Sequence, residues 1–218
     1  MSVGMVLLTV VAVLVFFGVA QRVLDKMYLS DRAALILIAL MFFGTLIPNL
    51  TLGNVQLSLG GAVIPVGVCV YLLIRAGTWK ERIRAVVGAL LTGGAVFALS
   101  AYVLPSEPEA LPIDPMYLNG IVAGLIAYAL GRSRRGAFIC GVLGVMVADC
   151  VTSIVNTANG ISQPLVLGGA GVFDAAVISG LIGVVLTELV GEIVERFARG
   201  EEKPAASAIR NPVKQKEK

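Results

Sequence analysis

The twenty residues GAFICGVLGVMVADCVTSIV, Gly136 to Val155, decide how this chain must be read. A hydrocarbon layer about 30 Å thick is crossed by about 20 residues at about 1.5 Å of helical rise each. The run has that length and one ionised side chain, Asp149. Further apolar runs flank it at about 3–20, 33–48, 58–75, 85–104, 117–131 and 172–193. Two of them, 33–48 and 117–131, are short and would borrow Asn49–Leu52 or Pro112–Met116, or a thinned bilayer, to complete a crossing. The expectation is an all-α polytopic transmembrane helix bundle with seven spans.

Composition agrees. The chain has 218 residues, 57% hydrophobic and 14% charged, where soluble domains carry about 25% charged residues. It contains no histidine, which excludes a Ser-His-Asp triad, a Cys-His pair and histidine-ligated zinc or haem. Cys69, Cys140 and Cys150 are odd in number and lie inside apolar runs, as small hydrophobes rather than a disulfide framework. No cofactor and no metal site is expected.

The basic residues test the topology, because Lys and Arg collect in short cytoplasmic loops. Arg22, Lys26 and Arg32 follow the first run, Arg75, Lys80, Arg82 and Arg84 the third, and Arg132, Arg134 and Arg135 the fifth. The remaining seven lie in the tail, so all 17 fall on one side. The second, fourth and sixth connections have none, and the fourth is acidic, with Glu107, Glu109 and Asp114. This predicts an N-out, C-in protein of the plasma membrane with a cytoplasmic C-terminus. The first run has no basic residue before it and reads as a retained span rather than a signal peptide. One transmembrane domain covers 1–198, and the polar Lys/Glu-rich stretch 199–218 reads as a disordered tail.

The second and sixth connections share a pattern. Asn49, Gly53, Gln56 and Leu59-Gly60-Gly61-Ala62 match Asn156, Gly160, Gln163 and Leu167-Gly168-Gly169-Ala170. Both join an outward-going run to an inward-going one, so the spacing predicts parallel three-span repeats, about 3–75 and 117–193, with run 85–104 as connector. The Gly-rich connections read equally as re-entrant segments and as surface turns.

Ionisable groups inside a span are costly and mark cavities or partners. Asp149, Thr152, Ser153 and Asn156 recur at i, i+3, i+4, i+7, hence on one helical face. Asp174 begins the last run, and the short connection between the two lets both carboxylates face one outer region. In the first copy the matching positions are Phe42, Thr45, Leu46 and Asn49, without the acid. On the last run Asp174, Glu188, Glu192 and Glu195 share a face, although Glu192 with Arg196 and Glu195 with Arg199 are spaced as ordinary i,i+4 pairs. Gly141, Gly144, Gly180 and Gly183 permit close helix contact.

The stretch Val147-Ala148-Asp149, then Asn156, then Gly168-Gly169-Ala170-Gly171-Val172-Phe173-Asp174 resembles the signature of a family of uncharacterised prokaryotic multipass membrane proteins, a domain of unknown function. The resemblance implies a membrane location and marks Asp149, Asn156, Gly168, Gly169, Gly171 and Asp174 as signature positions.

Three functions follow. The first is a small transporter or ion-coupled permease in which Asp149, Thr152, Ser153, Asn156, Gln163, Asp174 and Glu188 bind a proton, a sodium ion or a small polar solute. The second is an intramembrane aspartyl protease using Asp149 and Asp174, although Asp174 lies three residues after Gly171 rather than beside it. The third is a membrane scaffold or assembly subunit. The bilayer is the expected partner, nucleic acid is not, and oligomerisation stays open.

Overall fold

The structure, a computed structural model, describes residues 25, 27–103, 115–130, 133–171 and 174–209, the side chains of 115, 116 and 197–209 excepted. Run 3–20 and the acidic connection with Glu107, Glu109 and Asp114 lie outside the described residues, as does 210–218.

Six helices and one small sheet make up the described chain. Helix α1, Asp31–Thr45, starts where the Ser30 hydroxyl accepts the Ala33 N–H. It stops short of Pro48, which disfavours helical backbone at the residue before it. Strands β1, Leu50–Leu52, and β2, Val55–Leu57, form a hairpin across Gly53-Asn54. A π-helical turn, Leu59–Val63, leads into α2, Ile64–Arg75. Helix α3, Trp79–Ala98, is followed by α4, Pro115–Ala129, and α5, Arg134–Ala158. Strand β3, Leu165–Leu167, pairs in parallel with β2, and α6 runs Ala175–Ile209.

Three stretches are long and apolar enough to cross a bilayer alone: Trp79–Val103, Arg134–Ala158 and Ala175–Arg196. Leu59–Arg75 and Tyr117–Ala129 are shorter apolar helices, and α1 has only 15 residues. Seven full-length spans are therefore not what the described residues form. The apolar residues after Pro48, which were to complete the second span, fold back as the hairpin. The bundle is mostly helical, with a three-stranded sheet that the all-α reading did not include. The last helix also continues to Ile209, into the stretch after Arg199 whose composition suggests disorder. Glu201, Glu202, Lys203, Ala205 and Ala206 are good helix formers, which accounts for the extension.

The packing is that of a membrane protein. Helix α3 turns Ala85, Gly88, Ala89, Thr92, Gly93 and Val96 inward. It leaves Ile83, Val86, Val87, Leu90 and Leu91 exposed. Large apolar side chains outside and small ones inside suit a lipid solvent, where helix association rests on close backbone approach. Exposed apolar residues recur on α1, α2, α4 and α6, far beyond the scattered pattern of a soluble surface. Glycines sit at the crossings: a Cβ on Gly88 would press on Cys140 Sγ, one on Gly144 on Thr92, and one on Gly141 on the Gly180 backbone.

The two ends of the bundle differ in chemistry. At one end, Arg135 pairs with Glu81 at 2.9 Å and donates to the Arg75 carbonyl at 3.1 Å, with its guanidinium 4.7 Å from the Tyr28 ring. Ser133 Oγ donates to Glu81 at 2.9 Å, and Arg82 donates to the Ile74 carbonyl at 3.0 Å. The loops that follow the first, third and fifth apolar runs thus meet, as the charge parity requires. At the other end, about 37 Å away along the 25 residues of α5, lies the uncharged sheet.

Candidate functional site

At the sheet end, the two Leu-Gly-Gly-Ala copies meet backbone to backbone. A Cβ on Gly61 would overlap the carbonyl oxygens of Gly168 and Gly171, and one on Gly168 would overlap the Gly61 carbonyl carbon. A Cβ on Gly60 would lie 2.6 Å from Thr45 Oγ1, and one on Gly171 would run into the same Thr45 side chain. Gly168 and Gly171 therefore clamp β3 and its following turn onto the π-helical turn and α1. Gly169 is exposed and meets only the tip of Val166. Two further bonds close this junction: Ser58 N–H to the Leu167 carbonyl at 3.0 Å, and Gly61 N–H to the buried Ser58 hydroxyl at 3.3 Å.

Beneath this clamp stand the two aspartates. Helices α5 and α6 are antiparallel, with Gly141 against Gly180 and the Ala137 carbonyl against Gly183. Asp149, eight residues after Gly141, and Asp174, six residues before Gly180, therefore lie at the same end of the helix pair. Their roles differ. Asp174 precedes α6, and its carboxylate accepts the Ala176 N–H at 3.0 Å and the Ala170 N–H at 3.4 Å. It is the N-cap of the last helix, holding through Ala176 one of the orphan donors that every helix start exposes, and through Ala170 the turn before it. Asp149 is half-buried, and no hydrogen bond reaches its carboxylate among the described residues. An ionisable side chain without hydrogen-bond donors inside an apolar helix is costly, and marks a cavity or a partner.

The rest of the polar stripe divides. Ser153 and Asn156 are half-buried on the Asp149 face. Thr152 is exposed, and its hydroxyl donates to the Ala148 carbonyl of its own helix at 2.8 Å. Gln163 is exposed in the loop before β3, where its backbone carbonyl accepts from Asn54 Nδ2 at 3.4 Å. Glu188 is not brought to the aspartates. It lies 14 residues beyond Asp174, about 21 Å along the helix, and forms an ion pair with Arg134. Glu192 pairs with Arg196 at 2.9 Å, as its spacing predicts. Between these ends Ile178 is buried and Val185 is exposed.

A further group escaped the sequence reading. Asn119 on α4 is 8% exposed, and its Oδ1 has no partner among the described residues. Gly120 packs on Ile182, so Asn119 sits about seven residues, or about 10 Å, deeper than Asp174 on the adjoining helix. The signal was present, since Asn119 is the lone amide inside run 117–131. Among the described residues no group of three or more His, Cys, Asp or Glu could hold a metal, and all three cysteines are free.

No curated protein and no solved structure matches the chain. A family model described as a protein of unknown function, DUF1614, matches residues 12–186, which takes in all six helices at least in part, the sheet and both aspartates. The chain is a membrane protein that belongs to the DUF1614 family.

Proposed function

We propose that this protein is a cation-coupled transporter of a small polar solute, with Asp149 as the group that binds and releases the coupling proton or sodium ion. One observation carries the reading: a half-buried carboxylate in α5, with no hydrogen bond among the described residues, stands at the same end of the α5–α6 pair as a second carboxylate that caps α6. Two negative charges in a low-dielectric setting favour one shared cation, because neither can be neutralised by a basic side chain at that end. Ser153 and Asn156 on the same face, with Asn119 deeper, offer neutral oxygens to a dehydrated ion or solute. Asp174 holds the site open by capping α6, and the glycine clamp fixes the loop that carries it.

The orientation belongs to the same proposal: the basic end faces the cytoplasm of a cell bounded by this membrane, and the sheet end faces outward. A duplication of three-helix units is supported by two matches at aligned positions. Gly53 and Gly160 both have positive φ, 62° and 78°. Thr45 and Thr152 both donate to the carbonyl four residues earlier at 2.8 Å. The protease reading asks Asp174 to share a proton through water with Asp149, whereas its oxygens take two backbone N–H groups.

The test is flux in proteoliposomes under an imposed proton or sodium gradient, with a panel of small amino acids, carboxylic acids and sugars outside. Gradient-driven uptake is expected for at least one solute class, lost in Asp149→Asn and weakened in Asp174→Asn, which keeps the cap but removes one of the two charges. Uptake that survives Asp149→Asn unchanged removes Asp149 from the mechanism.

A further inference from the structure

The opposite end of the bundle contains a second feature that the aspartate site does not use. A cavity of about 300 Å³ opens between α3, α4 and the start of α5. Its floor is small and apolar, with Ala85, Ala127, Leu130 and Cys140. Its rim carries Lys80 and Arg84, both exposed. These are i and i+4 on α3, hence on one face.

The charge at this rim is unbalanced. The one acid lining the cavity, Glu81, is taken by Arg135 at 2.9 Å and by Ser133 at 2.9 Å. Arg82, between the two rim cations, is turned away to the Ile74 and Ala76 carbonyls. Lys80 and Arg84 have no ion-pair partner among the described residues. Two helix N-termini also converge here. Thr78 caps α3 through the Glu81 N–H at 3.3 Å, Ser133 caps α5 through the Gly136 N–H at 3.2 Å, and both capping residues line the cavity. Their partial positive charges add to the two side chains.

Depth selects the occupant. Trp79, next to Lys80, is 70% exposed at the start of a helix long enough to span the bilayer. An exposed Trp at a span's end marks the headgroup level. The cavity mouth therefore lies where phosphates lie, and its floor of Ala85, Ala127 and Cys140 is buried between the helices.

We propose that this cleft binds the phosphate headgroup of an anionic phospholipid, held by Lys80 and Arg84. The shared chemistry is a phosphate anion, and the lipid is the source that the headgroup depth marked by Trp79 supplies. The inference is independent of Asp149.

The test is lipid retention by the purified full-length protein in neutral detergent, read by native mass spectrometry against phosphatidylglycerol and phosphatidylcholine. Phosphatidylglycerol is expected to be retained in preference. The variant K80Q/R84Q is expected to weaken that retention about thirty-fold, the effect of two interfacial cations. Because both positions are exposed, an unchanged melting temperature separates lost binding from lost fold. R32Q/R196Q removes the same charge elsewhere and is expected to leave retention nearly intact. D149N is expected to leave it unchanged, so loss of transport and loss of lipid are read separately. Equal retention of the two lipids overturns the proposal, as does equal weakening by the two double variants. Saturable, Lys80- and Arg84-dependent binding of inorganic phosphate without any phosphatidylglycerol binding overturns the lipid assignment.

Discussion

Residues 45–63 and 152–171 carry nearly the same pattern of Thr, Asn, Gly, Gln and Leu-Gly-Gly-Ala, yet they fold differently. In the first, Pro48 ends α1 at Thr45 and the chain turns back as a hairpin, with Gly53 at the turn. In the second, Val155 stands where Pro48 does, and α5 continues to Ala158 with Gly160 closing its end. Leu59 opens a helix, whereas Leu167 ends a strand. The two copies then lock together through Gly61 and Gly168. Near-identical residues thus serve complementary roles, and the extra turns of α5 carry Ser153 and Asn156 outward from Asp149. The first segment is support and the second holds the polar face.

The largest effect expected from breaking this arrangement is at the clamp. Gly168 has φ of 70° and its Cβ position is filled by the Gly61 backbone, so neither strain nor overlap can be relieved by a side-chain movement. Gly168→Val is expected to cost more than about 4 kcal/mol and to abolish folded protein in detergent. Gly169→Ala, facing only the Val166 tip, is expected to melt within a few degrees of the native chain. A folded, active Gly168→Val protein would remove the clamp from the account.

Next comes the residue that makes the two copies diverge. Val155→Pro places a proline inside the last turns of α5 and is expected to cost about 3 kcal/mol, with loss of flux because Asn156 is displaced. Pro48→Val only relaxes a restriction and is expected to change stability by less than about 0.5 kcal/mol. Thermal unfolding of the pair in one detergent gives the comparison; equal losses would mean that the proline does not set the difference.

Much of this was legible in the residues. The membrane location, the long helix at 134–158 and the meeting of the basic loops follow from apolar length and charge placement. The sheet was not, because Leu50, Leu52, Val55 and Leu57 are as apolar as a helix end would be and only Pro48 breaks the run. The pairing of Glu188 with Arg134 joins residues 54 apart in sequence, and no local period encodes such a contact. The two Leu-Gly-Gly-Ala segments share a sequence pattern, but nothing in it marks them as each other's partner, since close backbone contact leaves no side-chain pattern. The capping role of Asp174 is written in its place just before an apolar helical run.

That double reading of Asp174 can be separated from Asp149 by stability alone. Asp174→Ala removes a cap and is expected to cost about 1 kcal/mol, whereas Asp174→Asn keeps the acceptor and costs a few tenths. Asp149→Asn removes a charge that no donor compensates, and is expected to leave the melting temperature equal or higher while flux is lost. Destabilisation by Asp149→Asn as large as that of Asp174→Ala would show a structural role for both acids.

The smallest effects test whether Gly53 and Gly160 are equivalent despite their different settings. Each has positive φ, and neither has an atom within 4 Å of a Cβ built on it. Space is therefore not the constraint at either position, and only the backbone conformation is, at about 1–2 kcal/mol for an L-residue. Gly53→Ala and Gly160→Ala are expected to lose this amount alike, and asparagine at either position to lose less, because its side chain tolerates the left-handed region. At Gly160 the cost falls on a helix end stapled by the Ile161 N–H to the Asn156 carbonyl at 2.9 Å, next to the proposed site. Flux should then fall in Gly160→Ala while remaining in Gly53→Ala. Equal flux in the two would place the second segment, like the first, outside the transport path.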